Sequence, residues 1–347
     1  MSISFNKVVE KSTMLNPMNN FAPDTHTVEF RVDPLTGQTC FVGITLIERG
    51  MKLVSSLDEK QIDEIVQKTR EGCFMCPENV DKVTPKYPSE VLPEGRLHGT
   101  EATLFPNILA VSKYSAVIAQ KSHYLRLTEY SPDMLSDCLS LGLQFIKRIH
   151  EVDSPAKHAA IGCNSLFPSG GSATHPHFHT FIDEVPFNHV ETLLNSSRRY
   201  FDEYSTNYWD DLIEAEKKEG ERYIGSIGNT EWLASFAPSG IQEVQAIIRN
   251  KSNFIECTDD DMSSLAKGIS RVLKYYGECG MIAFNLIVYS GPLGEKSEYF
   301  CTGLKVVSRF SYWTNVSDIT WRQQLGERCE LFTETPETLA GLLRKKF

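Results

Sequence analysis

One order of elements occurs twice in this chain, and a duplicated unit restricts the possible folds more than any single motif does. From Ala102 the hydrophobic periods give two strands in "ATLFPNILAVSKYSAVIAQKSH", a helix in "SPDMLSDCLSLGLQFIKRIHE", a strand in "HAAIGCNS" and another in "THPHFHTFID". Ser131 is placed to cap the helix, and Asp133 suits the positive end of its dipole. The order returns in "TEWLASFAPSGIQEVQAIIRN", "TDDDMSSLAKGISRVLKYYGE", "GMIAFNLIVYSGP" and "SEYFCTGLKVVSRF". Matching Asn164 to Asn285 aligns the copies. The 347 residues exceed the usual size of one core, so the chain divides into an N-terminal half, 1–190, and a C-terminal half, 191–347.

Before the first copy, residues 1–35 read as an extended lead-in, and Asp33-Pro34 with Thr36-Gly37 mark a turn into a Val/Ile/Leu strand within "TCFVGITLIERG". Leu57 to Arg70 reads as a short amphipathic helix with Ile62, Ile65 and Val66 on one side. "EGCFMCPEN" and a proline-rich connector, 84–95, follow.

The copies differ in their histidines: all nine precede residue 190. Any histidine chemistry therefore belongs to the first half. On an extended strand His175, His177 and His179 form one file, with Pro176, Phe178 and Thr180 facing the other way. A metal-only site or an exposed polar face would also account for such a file. Upstream, "NSLFPSGGS" offers glycines that allow close approach of backbone N–H groups, together with the Ser172 hydroxyl. That combination suits a phosphate held against an imidazole, and a neutral histidine is a competent nucleophile toward phosphorus.

Composition removes other classes. A net charge of −10 argues against a nucleic-acid groove, which needs clustered Lys and Arg. No apolar run is long enough to span a membrane. The N-terminus carries no export signal, so a cytoplasmic address is expected. Nine cysteines, an odd number spread along the chain, suit reduced thiols, some of them available as metal ligands.

"NSLFPSGGSATHPHFH" resembles, without a gap, the Asn-x-x-x-x-x-Gly-x-Ser-x-x-His-Pro-His-x-Gln signature of the galactose-1-phosphate uridylyltransferases, the two-half branch of the histidine-triad superfamily. "RVDPLTG", "CFMC", "FPN" and "TPETLAGLLR" resemble further pieces of that family in the same order. The resemblance spans about residues 30 to 345 and implies an α+β fold of two tandem histidine-triad-like halves with largely antiparallel sheets.

Carried over residue by residue, the resemblance makes His177 the nucleophile that takes up a nucleotidyl group. It makes Cys73, Cys76, His123 and His175 the ligands of a closed, structural Zn²⁺. Asn164, Gly170, Gly171 and Ser172 match phosphate-contacting positions, and Phe105 and Asn107 match positions near base and ribose. Arg49 falls near a phosphate-binding arginine that crosses a dimer interface, so a homodimer is expected. Outside the resemblance, Cys73-x-x-Cys76 could be a redox pair, and His123 or Arg49 a solvated side chain.

The pattern fails at one position that matters. The family places Gln where this chain has His179, a residue typical of triad hydrolases, in which it helps protonate the leaving group. The C-terminal strand "SEYFCTGLKVV" also lacks the histidines of the family's second metal site, and "RQQLGERCELF" leaves the sugar specificity open. The expected function is nucleotidyl transfer through a His177 intermediate, from a nucleoside-diphosphate sugar or related donor to a sugar phosphate or phosphate. The alternatives are a histidine-triad nucleotide hydrolase and a non-catalytic nucleotide-binding protein.

Overall fold

The period-two pattern gives each strand an apolar face that must be covered. In the computed structural model, which describes residues 3–49, 59–309 and 319–347, both copies meet that need in one sheet. Strands β1 (Lys7–Asn16), β2 (Ala22–Val32) and β3 (Thr39–Val42) precede helices α1 (Ile44–Glu48), α2 (Glu59–Arg70) and α3 (Pro77–Val83). The first copy supplies β4 (Leu97–His98), β5 (Ala102–Pro106), β6 (Tyr114–Gln120), α4 (Pro132–Val152), β7 (His158–Ser165) and β8 (His177–Asp183). Helices α5 (Asn188–Tyr204) and α6 (Tyr208–Glu219) lead to the second. That copy comprises β9 (Tyr223–Ile227), β10 (Thr230–Ala234), β11 (Val244–Ile248), α7 (Asp259–Glu278), β12 (Ala283–Tyr289) and β13 (Gly303–Arg309). Beyond it lie α8 (Trp321–Gln324), β14 (Cys329–Leu331) and α9 (Pro336–Leu343).

The fold is α+β. Its ten-stranded sheet runs β4-β5-β6-β8-β7-β12-β13-β11-β10-β9, so the order reads the same from either end in terms of the repeat. Every adjacent pair in it is antiparallel. At the centre, Asn164 on β7 pairs with Asn285 on β12, flanked by Cys163 opposite Leu286 and Ser165 opposite Phe284. A two-fold axis through the asparagine pair maps that pair onto itself and exchanges the two flanking pairs.

Both long helices lie on one face of the sheet and are capped alike. Ser131 accepts a hydrogen bond from the Met134 N–H at 3.2 Å, and Thr258 forms a reciprocal capping box with Asp261. Beneath α4 and α7 one core runs through both halves, from Leu104, Ile118 and Phe178 to Trp232, Phe284 and Val306. The opposite face is covered in two places. Met75 and Val80, beside the cysteine pair, pack on Phe105 and Val117 at one end; Trp209, Leu212 and Ile213 of α6 pack on Leu233, Ile247 and Tyr289 at the other.

Two expectations change, and a third is met over the described residues. The N-terminal lead-in is a hairpin: β1 pairs with β2 along its whole length, and β2, β3 and β14 complete a separate four-stranded sheet. The strand expected after the Asp33–Gly37 turn lasts only for Thr39–Val42, because Gly43 opens α1. The helix ending at Arg70 is present from Glu59, while Leu57 and Asp58 lie outside the described residues.

Candidate active site

The three histidines do not share one strand. β8 begins at His177, with Ala119 and Val117 of β6 opposite His177 and His179. Burial alternates as the period demands: Phe178, Thr180 and Ile182 face the helices, and His177, His179 and Phe181 face the other way. His175 lies before the strand, where its Nε2–H donates to the Gln120 carbonyl at 2.6 Å. That bond leaves Nδ1 with a bare lone pair, aimed at the cysteines.

His175 Nδ1 lies 3.5 Å from Cys73 Sγ and 3.7 Å from Cys76 Sγ, and His123 Nδ1 lies 3.3 Å from Cys76 Sγ. All four donor atoms fall within 4.8 Å of one another. Ligand bonds of about 2.1–2.3 Å at tetrahedral angles put donors about 3.5 Å apart, so the set is dimensioned for one metal ion. Burial and the adjoining Cys73 push the Cys76 thiol up to about 12, and burial brings His175 down to about 4. Two thiols and two neutral imidazoles this close favour a dication, which stabilises the thiolates that burial alone disfavours. The four residues can hold a metal.

His177 is oriented by the same segment. Its Nδ1–H donates to the His175 carbonyl at 2.8 Å, so Nε2 is the nitrogen left with a lone pair. Burial lowers its pKa, an effect the bond to His175 partly offsets. His179 comes down to about 4, chiefly through burial and then through the neighbouring His177. Both rings are therefore neutral near pH 7. They meet edge to face at 4.8 Å, and His179 stacks on Phe181. Nδ1 of His179 is buried with no hydrogen-bond partner among the described residues.

Beside this strand, the chain turns sharply between β7 and β8. Leu166 takes φ 62°, unusual for a residue with a β-carbon, and Gly170 takes φ 82°. Gly171 is required for another reason: a Cβ there would lie 2.7 Å from the carbonyl oxygens of Asn164 and Leu166. Ser172 is exposed, and neither its amide nor its hydroxyl is paired among the described residues. Asn164 on β7 adjoins the turn, one position beyond the Cys163–Phe178 pair and so alongside His177. The fold thus gathers Asn164, Gly170, Gly171, Ser172, His177 and His179, with the Cys73, Cys76, His123 and His175 cluster behind them.

The remaining expected residues lie further out. Phe105 shares the cross-strand row of Val117 and His179, but it is buried under Met75 and Val80. Asn107 follows β5 and accepts from the Leu109 N–H at 3.0 Å. Among the described residues, Arg49 bonds Asp24 at 3.0 Å and His26 at 3.1 Å, both on β2.

A cavity of about 550 Å³ opens over the two-fold axis. His179, Asn164 and Phe181 form its first-half wall, and Asn285, Lys305, Glu243 and Ser239 its second-half wall. Gln38, Thr39 and Arg328 close the rim. Glu243 is buried, Lys305 is half-buried, and the two pair at 3.0 Å. Sequence reading missed this wall. Its one signal was Asn285, a polar residue inside the apolar run "AFNLIVY".

No family model matches the chain. An uncharacterized protein of Archaeoglobus fulgidus is 32% identical over 299 residues, 84% of this chain and 86% of that one. The structure of an ADP-glucose phosphorylase from Arabidopsis thaliana, with ADP-glucose bound, matches with a TM-score of 0.68 at 16% identity, over 92% of this chain and 98% of that one. A uridylyltransferase structure matches with a TM-score of 0.64 at 18% identity, over 91% and 98%. The likeness to these two solved structures is one of fold.

Proposed function

Given that the chain belongs to one family with the Archaeoglobus fulgidus protein and has the two-half fold of the galactose-1-phosphate uridylyltransferases, we propose that it is a nucleotidyltransferase working through His177. The observation that carries this reading is the hydrogen bond from His177 Nδ1 to the His175 carbonyl. It fixes the tautomer, supports the imidazolium that forms on attack, and aims Nε2 to the side where Asn164 and the Gly170–Ser172 turn offer donors.

The donor is a nucleoside-diphosphate sugar or a relative of one. The Nε2 lone pair attacks the α-phosphorus, the bond to the bridging oxygen breaks, and the sugar phosphate leaves with that electron pair. The Nδ1 proton stays in its hydrogen bond to the His175 carbonyl. An oxygen of phosphate or of a sugar phosphate then attacks the same phosphorus, and the N–P bond returns its electrons to Nε2. Cys73, Cys76, His123 and His175 would hold a structural Zn²⁺, which braces the segment leading into β8 and supplies no reacting group.

The test is to incubate the protein briefly with separate pools of nucleoside-diphosphate sugars, dinucleotides and nucleoside triphosphates, and to weigh the intact chain. An acid-labile nucleoside monophosphate adduct is expected on wild type and absent from His177→Ala. Normal turnover by His177→Ala would sink the reading.

One observation favours hydrolysis as a second reading. His179 lines the cavity as a neutral imidazole, a group that can take a proton from water where glutamine could not. Release of nucleoside monophosphate without an acceptor, slowed at least about tenfold in His179→Gln, supports it; an absolute need for acceptor removes it.

A further inference from the structure

The second half reaches the phosphate turn of the first through one amide. Asn285 Nδ2 donates to Asn164 Oδ1 at 2.7 Å and to the Ser169 carbonyl at 2.9 Å, using both of its hydrogens. Its own Oδ1 accepts from Arg309 Nη1 at 2.7 Å. A guanidinium can only donate, so Arg309 decides which end of the Asn285 amide is oxygen. Asn285 then decides the same for Asn164, whose Oδ1 is occupied. Asn164 Nδ2 has no partner among the described residues and is the end left for a ligand.

We propose that Arg309 and Asn285 are positioning residues of the second half, which set Asn164 as a hydrogen-bond donor to the phosphoryl group attacked by His177. Turned over, the Asn164 amide would present a carbonyl oxygen to phosphoryl oxygens and repel them. The two-fold axis makes the arrangement possible: Asn164 and Asn285 pair directly across it, so a residue of the non-histidine half has only β7 between it and the histidine strand. The same bond to Ser169 ties β12 to the turn that carries Gly170, Gly171 and Ser172.

The inference rests on the nucleotidyl-transfer reading, and the experiment separates the two. Asn285→Asp is nearly isosteric and keeps an acceptor for Arg309, yet it removes both donors and induces Asn164 to turn its Nδ2 inward. With ADP-glucose and UDP-glucose as donors, the expected result is a kcat lower by about tenfold to a hundredfold at unchanged KM and unchanged melting temperature. Asn164→Asp should fall as far, and the double variant no further than the worse single one, because the two act in series. If Asn285→Asp folds poorly, Asn285→Ala removes the same donors without adding charge and carries the same expectation.

Wild-type kcat in the Asn285 variants, or a loss of activity that only follows the melting temperature, overturns the positioning role and leaves nucleotidyl transfer standing. Should wild type form no adduct, nucleotidyl transfer fails, and binding of orthovanadate, a five-coordinate mimic of the phosphoryl transition state, decides the positioning role alone. Weaker vanadate binding by Asn285→Asp at equal stability keeps it, and equal binding removes it.

Discussion

Where the first half carries His177, the second carries Val307. The axis through Asn164 and Asn285 relates the strand pairs Gly162–His179 and Ala283–Arg309, and it sets Lys305 against His175 and Arg309 against His179. The backbones match in order, helix capping and register, while the three imidazoles of the file are replaced by an aliphatic and two cationic side chains. Lys305 forms an ion pair with the buried Glu243, at the position where His175 faces two thiols. Burial works to raise Glu243, yet Lys305 and the Ser235 and Ser239 hydroxyls hold it below its ordinary value. Conservation of fold and loss of chemistry are thus separable, and the second half contributes shape, one cavity wall and a guanidinium.

Several measurements press on that difference. The largest effect expected is in His177→Ala, which should cost on the order of 10⁴-fold or more in turnover, as loss of a nucleophile does elsewhere. Adding Val307→His to that variant should restore nothing, because the second half lacks the Gly-Gly-Ser sequence of the Gly170–Ser172 turn and, among the described residues, a metal cluster beside it; regained adduct on residue 307 would mean the halves are chemically interchangeable. Next, Cys76→Ser should abolish metal binding and destabilise the first half by several kcal/mol, since the binding energy of a structural metal is folding energy. Metal analysis with a melting curve checks this, and a variant that still binds metal at the wild-type ratio would remove Cys76 from the ligand set.

The smallest effect compares the helices. A Cβ at Gly268 of α7 would lie 2.0 Å from the ring of Trp232, which is fully buried and anchored to Thr230. At Gly142 of α4 it would meet the mobile end of Ile161 at 2.8 Å. Gly268→Ala should cost about 1–3 kcal/mol through overpacking. Gly142→Ala should be close to neutral, because the helix gains about 1 kcal/mol in propensity. Chemical denaturation of both variants would show whether α7 sits more tightly than α4 on its sheet.

Much of this was legible beforehand because the signals are local. The repeat, the cap at Ser131, and the split of β8 into a helix-facing row and a histidine row follow from residues a few positions apart. The cluster of Cys73, Cys76, His123 and His175 was accessible only through resemblance, since three separate loops supply it. The cavity was not legible at all. Its walls come from segments near residues 38, 162, 239, 285 and 328, and no period or spacing connects them. α5 and α6 went unread although Val190, Leu193 and Ser197 in α5, and Tyr208, Trp209, Leu212 and Ile213 in α6, repeat with helical spacing. Asn285 was visible as the mate of Asn164, and its role depended on a register that only the folded sheet supplies.

The parallel pairing of β14 with β3 sets Cys329 beside Cys40, and Arg328 Nε donates to Thr39 Oγ1 at 3.0 Å across 289 positions of chain. Synthesis reaches Thr39 long before it reaches Arg328. The histidine strand, its metal cluster and even the two-fold sheet draw on nothing beyond Arg309, but the rim built from Gln38, Thr39 and Arg328 must wait for that last segment to fold back. Closure of the cavity is then a late, long-range step, and no partial chain that stops short of Arg328 carries a complete site.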